Sequence, residues 1–129
     1  MKKQGILNRE LAGIFAKLGH TDQIVIADCG LPIPQGVTCI DLTLKLGEPT
    51  FLAVLNVIIE DLAVEKAFIA QEIIDENPMI HSQLTDKFPL MENISHEEFK
   101  ELTKNAKVII RTGEATPYAN VILQSGVIF

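Results

Sequence analysis

The chain alternates between segments with the period of a helix and short apolar segments with the character of strands. Residues 8–19 (NRELAGIFAKLG) place apolar side chains at positions i, i+3, i+4 and i+7, which form one face of a helix. Residues 23–28 (QIVIAD) are too short and too rich in β-branched residues to form a second helix. Because strands that alternate with helices form mostly parallel sheets, this pattern predicts an α/β fold.

The same alternation continues to the end of the chain. Further strands are predicted for residues 38–44, 65–73, 107–113 and 120–129, and further helices for residues 48–62, 77–88 and 95–106. Asn77 and Pro78 are typical of a helix start, and Ser95 with Glu98 forms a capping box. We therefore expect a single domain over residues 1–129, with helices packed on both faces of a largely parallel β-sheet.

The composition and charge argue against several classes of protein. Hydrophobic residues make up 47% of the 129 residues, which indicates a globular domain that can bury a core. The net charge of −6 and the pI near 5.0 argue against nucleic acid or an anionic membrane surface as a partner. The most apolar stretch, residues 51–59, is far shorter than the roughly 20 residues that span a bilayer.

The N-terminal residues and the cysteines favour a cytoplasmic location. Arg9, Glu10 and Lys17 interrupt the region that would have to be apolar in a signal peptide. Cys29 and Cys39 are expected to be free thiols in a reducing compartment. Since neither belongs to a Cys/His cluster with the spacing of zinc ligands, no metal site is expected.

Two of the three histidines are candidates for chemistry. His20 follows the first predicted helix, so it is either a cation stabilised by the helix dipole or a proton donor and acceptor. His96 takes the first position of a capped helix, where the dipole disfavours the imidazolium, so it is either a solvated residue or part of a site. His81 lies in the middle of a predicted helix and is expected at the surface.

Polar residues at the ends of predicted strands form the second group of candidates. Asp28 closes the strand over residues 23–28, where it either binds the amides of the next loop or faces a ligand. Residues 111–120 (RTGEATPYAN) join two apolar strands and contain the only tyrosine, Tyr118. Turn chemistry explains the glycine and the proline of this loop but not its concentration of polar side chains, so it is a candidate binding site.

Three segments carry a resemblance to a known family. Residues 5–34 (GILNRELAGIFAKLGHTDQIVIADCGLPIP), residues 94–123 (ISHEEFKELTKNAKVIIRTGEATPYANVIL) and the final SGVIF closely resemble the ribose pyranase and fucose mutarotase family. The resemblance covers the chain from about Lys2 to Phe129. It implies an isomerase that interconverts the β-pyranose and β-furanose forms of D-ribose, needs no cofactor or metal, and supplies the furanose to a ribose kinase.

The resemblance also implies roles for individual residues and an assembly. The catalytic histidine would be His20, and the sugar contacts would come from Asp28, His96, Tyr118, Ala119 and Asn120. Family members form two stacked rings of five subunits, a decamer in which a neighbouring chain completes each site. Cys29 departs mildly from the family pattern, since a small residue such as alanine is expected there.

The chemistry of ring opening agrees with a site built around histidine. A hemiacetal opens when the anomeric hydroxyl loses its proton and the ring oxygen gains one, and imidazole has a pKa in the suitable range. From their opposite positions on helices, we hypothesise that His20 is the general acid and that a neutral His96 positions or accepts from a hydroxyl. Two alternatives are a non-catalytic ribose-binding or regulatory subunit linked to ribose uptake, and a mutarotase that acts on fucose.

Overall fold

Six strands form one sheet in which a single strand runs against the others. The computed structural model describes residues 1–129. The strands are β1 (Gln23–Ala27), β2 (Cys39–Asp41), β3 (Val64–Ala70), β4 (Glu92–Ile94), β5 (Val108–Arg111) and β6 (Val121–Ser125). Their order across the sheet is β2-β5-β1-β6-β3-β4. Strand β6 is antiparallel to β1 and β3, and the other pairings are parallel, so the predicted largely parallel sheet is confirmed.

Five helices cover the two faces of this sheet. They are α1 (Arg9–Phe15), α2 (Phe51–Asp61), α3 (Ile73–Glu76), α4 (Pro78–Lys87) and α5 (His96–Thr103). Ile24 and Ile26 of β1 belong to the larger core cluster, which they share with buried residues of α1 to α4. Val25 of β1 faces the other way and belongs to a smaller cluster with Phe99 of α5. The prediction of one domain with helices on both faces is therefore confirmed.

Side-chain caps explain where three of the helices begin. The side chain of Asn8 accepts hydrogen bonds from two backbone N–H groups in the first turn of α1. The hydroxyl of Thr50 accepts from the N–H of Ala53 at the start of α2. At the start of α5, the N–H of Glu98 donates to the Ser95 hydroxyl over 3.1 Å, as the sequence predicts.

Several element ends differ from the predictions, including those of β2 at Asp41 and β6 at Ser125, which were expected to extend to residues 44 and 129. Helix α1 ends at Phe15 rather than near Gly19, because the following amides bond to carbonyls three residues back and tighten the chain into a turn. Strand β3 ends at Ala70, and Ile73 begins the short helix α3 instead of continuing the strand. The buried side chain of Ile73 joins the larger core cluster. An apolar residue at this position is equally compatible with a strand and with a helix, so the sequence pattern does not distinguish them.

Two further features were not predicted. Strand β4 has only three residues, none of them fully buried, so it lacks the apolar pattern that reveals a strand. Asn77 precedes α4, but its side chain does not cap that helix. The side chain of Asn77 is buried and directed to the loop before β6 instead.

Both cysteines are free thiols, as expected. None of the helices has the length and the apolar character that a membrane span requires.

Gly113 allows the chain after β5 to pass against the segment before α2. Its N–H donates to the carbonyl of Pro49 over 2.8 Å, and its carbonyl accepts from Gly47 over 2.6 Å. A Cβ at this position would collide with the backbone of Glu48. The loop that leads to Tyr118 therefore depends on the absence of a side chain at residue 113.

We expect Gly113→Ala to lower the free energy of unfolding by about 1–3 kcal/mol, because the added methyl group forces two backbone segments apart. Gly13→Ala is the matched control. Gly13 lies within α1 with open space around it, so alanine should stabilise the protein by about 0.5–1 kcal/mol. Urea unfolding at one protein concentration measures both changes. Equal stabilities for the two variants would contradict this interpretation.

Candidate functional site

Most of the predicted site residues meet at one edge of the sheet. The five parallel strands end at this edge, and the reversed strand β6 begins there. Asp28 follows β1, and His96 follows β4. Residues 112–120 link β5 to β6 along the same edge. The C-terminal edge of a mostly parallel sheet is where ligands bind in such folds, so the structure brings these candidates together in a suitable place.

Asn120 holds Asp28 by two hydrogen bonds. The backbone N–H of Asp28 donates to Asn120 Oδ1 over 2.8 Å, and Asn120 Nδ2 donates to Asp28 Oδ2 over 2.9 Å. The other oxygen of Asp28 accepts from the N–H of Gly30 over 2.9 Å, which is the loop contact expected from the sequence. Asn120 is buried, whereas Asp28 is half-buried. The pair therefore presents a carboxylate of fixed orientation.

His96 lies between aromatic rings at the start of α5. Its ring meets that of Tyr118 edge to face at 5.1 Å between centroids and stacks against Phe99 at 6.4 Å. Its backbone N–H donates to both carboxylate oxygens of Glu72, at 3.0 and 3.1 Å. Its Nδ1 is buried and has no hydrogen-bond partner within the protein. A buried nitrogen of this kind is a candidate to hydrogen-bond a ligand.

A network of side chains fixes the loop that carries Tyr118. Tyr118 has a φ of 56°, a left-handed conformation that costs energy for a residue with a side chain. Asn77 Nδ2 donates to the Thr116 hydroxyl over 2.9 Å and to the carbonyl of Pro117 over 2.8 Å. The Thr116 hydroxyl donates to Glu114 Oε2 over 2.9 Å. Asn77 thus supports the tyrosine from 41 positions earlier, a role that local sequence does not reveal.

Asp28, His96 and Tyr118 line an open cleft of about 280 Å³. The lining residues are Asp28, Gly30, Leu31, Pro32, His96, Pro117 and Tyr118. This volume lies just below the usual range for ligand pockets, about 300–1,000 Å³, and suits a small polar ligand. Ala119 is fully buried in the core, so its side chain offers no surface to the cleft. His81 is half-buried on α4 and does not line the cleft.

Arg111 has a structural role beside this edge. Its Nε donates to the carbonyl of Cys29 over 3.2 Å, and its Nη1 lies 3.0 Å from Asp41 Oδ2. The backbone N–H of Thr43, together with Arg111, lowers the pKa of Asp41. Arg111 therefore joins the ends of β1, β2 and β5, which accounts for one of the charged residues in the polar loop.

His20 lies at the opposite edge of the sheet. His20 precedes β1 and Asp28 follows β1, so the five residues of this strand separate them. At about 3.3 Å per residue, the two side chains are roughly 20 Å apart. They cannot form one site within a single chain. Since α1 ends at Phe15, His20 also does not sit at the end of a helix, so the dipole argument for its charge has no structural basis.

Glu65 is the side-chain partner of His20. Its Oε2 lies 2.9 Å from His20 Nε2, and its Oε1 accepts from Gln124 Nε2 over 2.8 Å. The hydrogen bond from Gln124 lowers the pKa of Glu65 most, and the hydrogen bond with His20 adds to it. Sequence reasoning missed Glu65 because it stands 45 residues from His20 and only the order of the strands brings them together.

We expect Asn120→Ala to reduce the free energy of unfolding by about 1–3 kcal/mol, because the N–H of Asp28 loses its partner at a half-buried position. Asn56→Ala is the matched control, since Asn56 is exposed on α2 and makes no side-chain hydrogen bond. Urea unfolding at a fixed protein concentration measures the difference. If the two variants unfold alike, Asn120 does not hold Asp28 as described.

The comparisons with known proteins agree with this fold. The model of the RbsD / FucU transport protein family matches residues 1–128. The D-ribose pyranases of Bacillus cereus and of an Exiguobacterium species are each 60% identical, with both chains covered completely. The structure of Bacillus subtilis RbsD complexed with D-ribose is 57% identical, covers 100% of both chains and has a TM-score of 0.98. The structure of fucose mutarotase in complex with L-fucose from Streptococcus pneumoniae is 23% identical over 95% of each chain, with a TM-score of 0.81, so it shares the fold. The resemblance seen in the sequence is confirmed, and this chain belongs to the RbsD/FucU family.

Proposed function

We propose that this chain is a sugar ring isomerase that interconverts the β-pyranose and β-furanose forms of D-ribose. The full-length likeness to ribose pyranases, and to a relative with D-ribose bound, is the observation that carries the proposal. The cleft adds support, because it combines a small volume with a fixed carboxylate and a buried imidazole nitrogen. The much lower similarity to the fucose mutarotase favours ribose over fucose as the substrate.

Each half of the reaction, ring opening and ring closure, moves two protons, and the whole reaction exchanges the C1–O5 bond for a C1–O4 bond. A general acid protonates the ring oxygen O5 while a base removes the proton of the anomeric hydroxyl, so the C1–O5 bond breaks and C1 becomes an aldehyde. The hydroxyl on C4 then adds to C1, loses its proton and forms the C1–O4 bond, while the aldehyde oxygen gains a proton. A group that both gives and accepts a proton near neutral pH serves both halves, and histidine is such a group.

We assign His20 to proton transfer and the cleft residues to sugar binding. The carboxylate of Asp28 can accept hydrogen bonds from sugar hydroxyls in a direction that Asn120 sets. The unpartnered Nδ1 of His96 and the Tyr118 hydroxyl suit the remaining polar groups of the sugar. Ala119 and Asn120 contribute by placing their neighbours, since both are buried.

The site is completed by a second copy of the chain in this proposal. His20 and the cleft lie at opposite edges of the sheet, so the two parts meet when the His20 edge of one copy docks against the cleft of the next. A head-to-tail contact forms a closed ring when its rotation closes, as the expected decamer of two five-membered rings requires.

The C-terminus supports docking at the His20 edge. Thr21 and Asp22 are bonded to Ser125 through the backbone, so the last residues lie beside His20. Ile128 and Phe129 are almost completely exposed in the single chain. Exposed large apolar side chains such as these favour burial against a partner.

The same proposal includes a cytoplasmic location, where a ribose kinase uses the furanose product.

Exchange spectroscopy on D-ribose tests the activity. The protein should accelerate exchange between pyranose and furanose signals, and His20→Ala should reduce that acceleration by at least about 100-fold, because a general acid–base residue contributes about 10²–10⁴-fold. His81→Ala is the control, since His81 does not line the cleft, and it should keep the wild-type rate. Unchanged exchange with the wild-type protein would favour a binding subunit, and faster exchange of fucose than of ribose would favour a fucose mutarotase.

Mixed assemblies test whether each site contains two chains. We expect His20→Ala and His96→Ala to be nearly inactive alone, whereas assemblies co-expressed from both should recover about a quarter of the wild-type activity, because a quarter of the head-to-tail contacts then join two intact residues. Sequential purification on two different tags isolates the mixed assemblies. Mixed assemblies with no more activity than the single variants would show that the two histidines do not act across a contact.

A further inference from the structure

We infer that Glu65 is a positioning residue for His20: it holds the imidazole through Nε2 and leaves Nδ1 as the nitrogen that exchanges a proton with the sugar. This inference rests on the proposed function. It is carried by the contacts at the start of β1, which lie at the opposite edge of the sheet from the cleft.

The contact itself sets which nitrogen is free. Glu65 Oε2 lies 2.9 Å from His20 Nε2, and this is the only side-chain hydrogen bond of His20. A carboxylate accepts hydrogen bonds, so Nε2 carries a proton in this pair. The neutral imidazole then has an unprotonated Nδ1, which accepts a proton from a sugar hydroxyl. The imidazolium so formed returns a proton from Nδ1 to a sugar oxygen, and Nε2 keeps its own proton throughout.

An irregularity in β3 aims Glu65 at the histidine. Val64 pairs with Ser125, and Lys66 pairs with Gln124, so Glu65 is an extra residue between two consecutive partners. Such a bulge turns the extra side chain away from the regular alternation of the strand. Gly126 leaves room beside it, because a Cβ on residue 126 would lie only 3.2 Å from the Cβ of Glu65.

Two glutamines restrain the carboxylate that holds the histidine. Gln124 Nε2 donates to Glu65 Oε1 over 2.8 Å, and Gln23 Nε2 donates to Gln124 Oε1 over 3.0 Å. The chain of contacts runs across β1, β6 and β3, which are neighbours in the sheet. An exposed ion pair is usually mobile, but here each oxygen of Glu65 has its own partner. The network therefore defines the orientation of the carboxylate.

The backbone next to His20 is held as well. Thr21 has a φ of 71°, which is unfavourable for a β-branched residue. Its N–H donates to the carbonyl of Ser125 over 2.9 Å. Strained backbone persists where surrounding contacts over-determine it, and it is frequent at functional sites. The turn and the carboxylate together restrain His20 at two points.

Glu65→Gln tests the positioning role, with Glu92→Gln as the matched control. Glu92 is also an exposed carboxylate of this sheet, paired with Lys66 at 2.6 Å, but it does not contact His20. We expect Glu65→Gln to lower kcat for ribose exchange by about 10- to 100-fold with KM kept within about twofold, an effect of the size seen when metal-ligating histidines lose the partner that orients them. The control should keep the wild-type values.

Replacing His20 with Nδ1-methylhistidine tests which nitrogen acts. The methyl group blocks proton exchange at Nδ1, and Nε2 can still donate to Glu65 when the ring is protonated, so we expect exchange to fall to the level of His20→Ala. Activity that survives this replacement would assign proton transfer to Nε2 and overturn the inference.

Nitrogen NMR of histidine-labelled protein gives a readout that does not depend on activity. The chain has three histidines, so His20→Ala identifies the signals of His20 by their loss. The chemical shift of His20 Nε2 should change in Glu65→Gln and stay at its wild-type value in Glu92→Gln. A Glu65→Gln variant with wild-type kcat and an unmoved Nε2 signal would overturn the inference while leaving the proposed function intact. Wild-type protein that does not accelerate exchange would overturn both.

Discussion

The reversed direction of β6 is the constraint on which the rest of the structure depends. β6 lies between β1 and β3 and is antiparallel to both. Asn120 stands just before it, at the edge where β1 ends, and there it holds Asp28. Gln124 stands near its other end, where β1 and β3 begin, and there it holds Glu65. One five-residue strand thus supports the polar groups at both edges of the sheet.

This arrangement separates the two halves of the proposed site within a chain. The cleft offers a fixed carboxylate, a tyrosine and a buried imidazole nitrogen, which suit binding of hydroxyl groups. The other edge offers a histidine with a carboxylate partner, which suits proton transfer. A strand is too stiff to fold back on itself, so in the proposed function the two halves cooperate between copies of the chain. Catalysis in this proposal is therefore a property of the assembly.

Both edges contain backbone that is unfavourable in isolation. Tyr118 at the cleft and Thr21 beside His20 have positive φ angles, and each such residue costs on the order of 1–3 kcal/mol. Hydrogen bonds from the buried Asn77 stabilise the tyrosine loop, and the bond from Thr21 to Ser125 stabilises the histidine turn. The close packing at Gly113 fixes the course of the tyrosine loop. Strain occurs where candidate site residues occur, and the surrounding contacts balance it.

Much of the fold follows from local sequence patterns. The β-branched run of β1 and the capping box at Ser95 indicate their elements without help from distant residues. The failures also have physical causes. β4 is too short and too exposed to show the alternation of apolar and polar residues that is typical of a strand. Ile73 is a buried apolar residue, which is equally compatible with a strand and with a helix. Asn77 has the sequence character of a cap, but the loop before β6 offers its buried amide two acceptors, and those contacts prevail.

The site shows the same division between local and distant information. The motifs around His20, Asp28, His96 and Tyr118 to Asn120 are enough to indicate the family and the candidate residues, because each lies within a distinctive segment. The positions of these residues at two opposite edges required the strand order, since pairings between distant segments decide which ends meet. The contacts that Glu65, Glu72 and Asn77 make with the candidate site follow only from such pairings. Residue type and short-range spacing therefore identify the chemistry available, whereas long-range packing decides which groups share a site and which need a second chain.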